Sequence, residues 1–201
     1  MKPEIYRNYY DIVILPPKPV IEYSISLSQS LRPYGKWILG RRQFIPHISL
    51  YHIPVKPNDF AVFVSEIASV LSRSNAGRLQ TTAIQSNLLM FDKPDWIRKL
   101  YMRIIKRTLP YFDWSYSREL WRLEGRDRIA SKQKYYSMYG TPMVGINFEP
   151  HVTLTVFKDS VEQHKLPQVK FERHSFQVDS ITICELGPSH SCQRIVEQIP
   201  F

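Results

Sequence analysis

One seven-residue pattern occurs twice, and it limits the fold more than any other feature of the chain. Phe44-Ile45-Pro46-His47-Ile48-Ser49-Leu50 matches Phe148-Glu149-Pro150-His151-Val152-Thr153-Leu154 position for position, as Phe-x-Pro-His-aliphatic-hydroxyl-Leu. The two histidines are 104 residues apart in a chain of 201, so each half holds one copy. That spacing predicts a two-lobed, internally duplicated fold. Side chains alternate between the faces of a strand, so His47 and Ser49 point one way while Ile48 and Leu50 point the other. His151 and Thr153 stand in the same relation to Val152 and Leu154. Each strand would bury an aliphatic face and present an imidazole and a hydroxyl roughly 6.6–6.8 Å apart. Two lobes facing each other would then frame a cleft with two imidazoles and two hydroxyls in pseudo-twofold arrangement.

That set of groups suits phosphoryl chemistry near neutral pH. Imidazoles titrate near pH 6.5, so one can be neutral and take a proton while its partner is charged and gives one. Ser and Thr hydroxyls can donate hydrogen bonds to non-bridging phosphate oxygens. No metal is required. A single histidine on a strand is more often a satisfied polar residue than a catalyst. Two copies in one frame reverse that expectation, because a core has no reason to repeat Pro-His-x-hydroxyl.

The rest of the chain reads as strands interleaved with helices. Tyr9–Leu15 is a buried strand stopped by Pro16-Pro17, and a weak helical spacing follows Pro19 and ends before Pro33. Phe44–Ile53 is strand-like. Asn58 then stands as the N-cap of a helix whose buried stripe is Phe60, Phe63, Val64, Ile67, Val70 and Leu71. Residues 79–91 alternate as one strand. A second helix starts at Asp92 with Pro94 in its first turn, and it carries Arg98, Lys99, Arg103, Lys106 and Arg107 on its outer face. Residues 146–157 and 168–178 are strand-like, and a hairpin around Gly187-Pro188 pairs Ser180–Leu186 with Cys192–Ile199. We expect an α+β fold over residues 1–201, bilobal and without a linker to cut it.

Charge bears on the partner. Lys plus Arg number 27 against 18 Asp plus Glu, a net charge of +9. A field of that sign favours phosphate- or nucleic-acid-bearing partners, although the same excess would also serve solubility alone. Between residues 116 and 140, Arg118, Arg122, Arg126, Arg128, Lys132 and Lys134 alternate with aromatic rings such as Trp121 and Tyr135, a mixture that suits unpaired bases and also ordinary packing. No window nears the ~18 apolar residues of a membrane helix, and the N-terminus lacks a secretory signal, so the expected protein is unprocessed and cytoplasmic. Cys184 and Cys192 flank the hairpin turn and are expected as reduced thiols. His52, five residues after His47, should face away from it on a regular strand, which argues against a metal-binding pair. His164, His174 and His190 read as surface residues, and Tyr51 either flanks a base or packs in the core.

The paired His-x-Ser and His-x-Thr motifs, each followed by Leu and half a chain apart, resemble the two-histidine (2H) phosphoesterase superfamily. The opening strand ending Ile14-Leu15-Pro16-Pro17 and the closing Ile183-Cys184-Glu185-Leu186-Gly187 segment are similar to that family as well. Ser49 stands where Thr is commoner, and the basic, aromatic stretch at about 93–145 is longer than expected. The resemblance implies two antiparallel sheets backed by helices with the active site between them. It implies catalytic His47 and His151, phosphate-binding Ser49 and Thr153, no metal and no cofactor. The implied reaction opens a cyclic phosphate, foremost a 2′,3′-cyclic phosphate on an RNA end or a nucleotide, by a monomer with no membrane partner. His151 is the expected base and His47 the expected acid. The alternatives are a 2′-5′ RNA ligase-like activity and a non-catalytic RNA-end binding protein.

Overall fold

The structure is a computed structural model describing residues 8–123, 130–141, 143–161 and 166–201. Arg126, Arg128 and His164 lie outside the described residues, as do the side chains of Trp121, Arg122 and Lys132.

Among the described residues, eight strands form two antiparallel sheets of four. The first contains β1 (Tyr9–Ile14), β2 (Ile48–Pro54), β7 (Ser180–Leu186) and β8 (Cys192–Pro200), in the order β2-β1-β7-β8. The second contains β3 (Arg78–Gln85), β4 (Leu88–Phe91), β5 (His151–Thr153) and β6 (Ser175–Gln177), in the order β5-β4-β3-β6. The α+β, two-sheet architecture is thus as expected, but the lobes are not the two halves of the chain. One is built from the segments at either end of the sequence and the other from the middle. Each motif strand lies at the edge of its own sheet, and β2 and β5 approach each other within 8 Å between Cα atoms.

Helices cover the outer faces because their apolar stripes have nowhere else to go. The helix α1 (Lys18–Ser30) starts directly after Pro17, with Pro19 in its first turn where a missing N–H costs nothing. Its Ser28 is buried, donates to the Leu154 carbonyl at 2.6 Å and accepts from the Leu39 amide at 2.9 Å, so one hydroxyl ties the first helix to the second motif. The helices α2 (Phe60–Leu71) and α3 (Asp95–Thr108) pack together, burying Phe63, Ile67 and Leu71 against Ile97, Leu100 and Ile104. A single apolar cluster joins Ile12 and Ile14 of one sheet to Leu79, Leu89 and Val152 of the other. Two further helices, α4 (Trp114–Leu123) and α5 (Ala130–Tyr139), occupy the basic stretch. Among the described residues no helix is long and apolar enough to cross a membrane.

Several boundaries differ from the sequence reading, among them the strands expected over 146–157 and 168–178, which pair only over His151–Thr153 and Ser175–Gln177. The single strand expected over 79–91 is a hairpin, because Ser86 takes a left-handed conformation (φ 57°) and reverses the chain between β3 and β4. The N-cap of α2 is Asp59 instead of Asn58, and Pro94 is the N-cap of α3 instead of a first-turn residue. Phe44 is left-handed (φ 51°), so the extended run from 44 pairs as a strand only from Ile48.

Gly140 ends α5 at a position only glycine fits well, with φ 72° and its amide on the Tyr136 carbonyl at 2.9 Å. A Cβ there would lie 2.0 Å from the buried Phe112 ring. Gly140→Ala should destabilise the protein by about 2 kcal/mol or more, from backbone strain plus ring displacement. Urea unfolding is the check, and the expected result is a lower midpoint with an unchanged slope.

Candidate active site

The two motifs meet in one cleft of about 340 Å³, lined by His47, Ser49, His151 and Thr153 together with His52 and His190. The alternation expected of each strand is present. Ile48, Leu50, Val152 and Leu154 are buried, while the imidazoles and hydroxyls face the cleft only partly covered. The repeated phenylalanines have matching roles as well: Phe44 stacks on Trp37 (5.0 Å, 17° between planes) and Phe148 on Tyr101 (4.0 Å, 21°).

The repeated prolines explain the pose of the imidazoles. Proline fixes φ between the preceding carbonyl and the histidine. In both motifs that carbonyl receives the ring proton: His47 Nδ1–H donates to Ile45 O at 2.6 Å, and His151 Nδ1–H donates to Glu149 O at 2.7 Å. A carbonyl only accepts, so the tautomer is set and both Nε2 atoms are the ones left for chemistry.

Beyond that point the two halves differ. Asp11, in the middle of β1, is wholly buried, and its Oδ2 accepts from Ser49 Oγ at 2.6 Å and from His52 Nε2 at 3.1 Å. His47 Nε2 lies 3.4 Å from the same oxygen, an ion-pair distance and not a good hydrogen bond. Burial pushes the Asp11 carboxyl up, but His52 and His47 outweigh it and hold it at about 2. Burial likewise opposes charge on His47, and the Asp11 carboxylate overcomes it, raising the imidazole to about 9. Among the described residues no carboxylate lies within ion-pair distance of His151. Burial lowers its pKa, and the charges of His47 and His52 lower it further against the pull of the Glu149 carbonyl and the weaker attraction of the Glu149 side chain. The Thr153 hydroxyl makes no hydrogen bond among the described residues, whereas the Ser49 proton is committed to Asp11.

His52 corrects the sequence reading, which put it on the opposite face from His47. The pairing of β1 with β2 runs Val13↔Ser49 and then Ile12↔Tyr51, so Leu50 is an extra residue, a β-bulge. The bulge reverses the alternation and brings His52, the cross-strand partner of Asp11, onto the motif face. It also sends Tyr51 toward the core. Tyr51 is 2% exposed, burial raises its pKa, and its hydroxyl donates to the Tyr139 carbonyl at 2.7 Å. His190 is likewise in the cleft and not on the surface. The turn before β8 is left-handed at Ser189 and His190 (φ 57° and 55°), and the His190 ring stacks on His52 at 5.0 Å. His174 packs on Tyr23 at 4.8 Å, away from the cleft. Cys184 and Cys192 are buried thiols beneath the site, clustered with Val13 and Ile45. Among the described residues no three His, Cys, Asp or Glu side chains are arranged to hold a metal ion.

Asp11 was missed by the sequence reading, although a signal existed: it is the one charged residue in the apolar run Tyr9–Ile14. A carboxylate at such a position requires partners, and histidines were available.

No family model matches the chain, and no curated protein sequence matches it. Solved structures do. Escherichia coli LigT complexed with 3′-AMP superposes with a TM-score of 0.60 at 12% identity, covering 96% of this chain and 98% of that one. TT0787 of Thermus thermophilus gives 0.54 at 12%, covering 96% and 97%. A protein described as a phosphoesterase gives 0.52 at 11%, covering 96% and 95%. The likeness is one of fold along nearly the whole chain, and it is the fold implied by the paired histidine motifs.

The ion pair predicts a pH signature in stability. His47 is raised in the folded state, so its contribution is complete below pH 6.5 and is lost as pH climbs through about 9. Between those limits the wild type should lose roughly 2–3 kcal/mol more than Asp11→Asn, in which His47 has no carboxylate to hold its proton. Urea unfolding of both proteins at pH 6 and pH 9.5 measures the difference, and parallel curves would contradict the ion pair.

Proposed function

We propose that this chain, which has the LigT fold, is a two-histidine phosphoesterase that opens a cyclic phosphate without a metal ion. The observation that carries the reading is that two distant histidines share one cleft. Each is fixed in the same tautomer by the carbonyl two residues before it, at 2.6 and 2.7 Å. Acid–base hydrolysis needs two imidazoles in different protonation states, and the two environments supply them.

The reaction follows from those states. His151, held neutral, takes a proton from water through Nε2 as the water oxygen bonds to phosphorus. The bond from phosphorus to one ribose oxygen breaks, and His47, held charged, gives its Nε2 proton to that oxygen. His151 leaves the step charged and His47 neutral, and exchange of one proton with solvent resets the pair. Thr153, whose hydroxyl is uncommitted, donates to a non-bridging oxygen. Ser49 faces the same space and can join it only by giving up its bond to Asp11.

A nucleotide carrying a 2′,3′-cyclic phosphate, alone or at an RNA end, is the substrate we assign. A cleft of about 340 Å³ falls within the usual range for small ligands. The net charge of +9 favours an anionic substrate. The similarly folded LigT has been crystallised with 3′-AMP, a ribose monophosphate of the kind such a ring opening releases.

The test is hydrolysis of nucleoside 2′,3′-cyclic phosphates in the presence of chelator. Wild type should turn over with a bell-shaped pH profile, and His47→Ala and His151→Ala, folded, should each lose about 10²–10⁴-fold in kcat. Loss of activity in chelator, or full turnover by either folded variant, would overturn the mechanism. If RNA ends are the substrate, KM for a cyclic-phosphate-ended oligonucleotide should rise more steeply with salt than KM for a mononucleotide.

A further inference from the structure

We infer that Asp11 is a positioning residue that breaks the symmetry of the cleft, holding His47 as the proton donor and leaving His151 as the acceptor. The inference rests on the acid–base pair proposed above and names the group that assigns its roles.

The two motifs are locally alike, so nothing within them can decide which histidine is the acid. The difference lies in the neighbouring strand. In the second sheet, β4 lies beside the motif strand and places Met90 opposite His151 and Leu88 opposite Thr153, neither of which carries charge. In the first sheet, β1 occupies the equivalent place and contributes Asp11. Its Oδ2 faces His47 Nε2 at 3.4 Å, while the other ring nitrogen of His47 already donates to the Ile45 carbonyl. Both ring nitrogens therefore face acceptors, and only the imidazolium supplies a proton to each. His151 has an acceptor on Nδ1 alone, which the neutral ring satisfies.

Asp11 is also anchored firmly enough to perform this role. Ser49 and His52 donate to the same oxygen at 2.6 and 3.1 Å, and His52 comes within reach only through the bulge at Leu50. The carboxylate thus remains ionised when His47 gives up its proton, and it favours reprotonation of the same ring. The 3.4 Å gap matters here. Two partners hold Asp11 more tightly than His47 does, so the His47 proton can turn to a leaving oxygen without dismantling the anchor. Other titratable groups around His47 are His52 on its own strand, Cys192 from β8 and His151 across the cleft. His190 stacks on His52 behind them, and Glu149 precedes His151. Among these described residues, Asp11 alone supplies a buried negative charge within ion-pair distance.

Histidine side-chain NMR of the intact protein across pH tests the assignment, with Asp11→Asn as the variant because it keeps the shape of the side chain. In wild type, His47 should keep its proton to higher pH than His151. In Asp11→Asn, the His47 midpoint should fall by about two pH units, toward or below that of an ordinary imidazole. The alkaline limb of the kcat profile should move down with it, while KM changes less than about threefold. A merely structural Asp11 would lower thermal stability and leave that midpoint and that limb in place, which would overturn the inference. If Asp11→Asn does not fold, the wild-type titration decides alone: His47 losing its proton together with or before His151 refutes the assignment. Titrations in the expected order without turnover of any cyclic phosphate would support Asp11 in this role and remove the substrate reading instead.

Discussion

A carboxylate in the second position of a four-stranded sheet has no water to turn to. Left unpaired at the site of Asp11 it would cost several kcal/mol, a large share of what holds a domain of this size together. The sheet accommodates it only because Ser49 and His52 reach it from the next strand, with His47 close by. The regular pairing of β1 with β2 cannot deliver both Ser49 and His52 to one face, since they are three residues apart. The bulge at Leu50 resolves that conflict. Placement of the carboxylate, irregularity of the strand and chemical state of the first motif are therefore one linked arrangement.

Much of this arrangement was legible in the sequence. The Pro-His-x-hydroxyl repeat marked both motif strands, their buried and exposed faces, and the pairing of two histidines in one cleft. The apolar run at β1 and the hairpin around Gly187 read correctly because each is written in local chemistry: β-branched residues in the first, a turn between two alternating segments in the second. What escaped notice depends on pairing and not on local preference. A bulge is a mismatch between two strands, so neither strand announces it alone, and His52 was placed on the wrong face. The left-handed conformations of Ser86 and His190 occur at residues that do not demand them, and so one hairpin read as a single strand and one cleft histidine as a surface residue. Asp11 was visible as an oddity, but its partners lie 38 and 41 residues away.

The repeated motif supplies two of everything, yet the acid–base step proposed for this cleft needs two unlike groups. In this cleft the unlikeness comes from the supporting strands and leaves the motifs themselves nearly untouched. The motifs keep the shared tasks, namely tautomer, facing and spacing, while β1 and β4 carry the difference. This division also separates the two hydroxyls, with Thr153 open to the cleft and Ser49 bound into the support of its neighbour.

The strand order of the first sheet has a consequence for synthesis. On one side β1 pairs with β2, 38 residues or so downstream, but on the other it pairs with β7, where Tyr10 meets Glu185. A ribosome adding about 5–20 residues each second would take on the order of ten seconds or more to bridge that gap. By the time β7 emerges all four strands of the middle lobe have been made, whereas β1 has kept an open edge and a carboxylate half enclosed. The cleft would thus be the last part of the molecule to form, and the nascent chain would present an apolar strand with one open edge, which holdase chaperones are suited to cover.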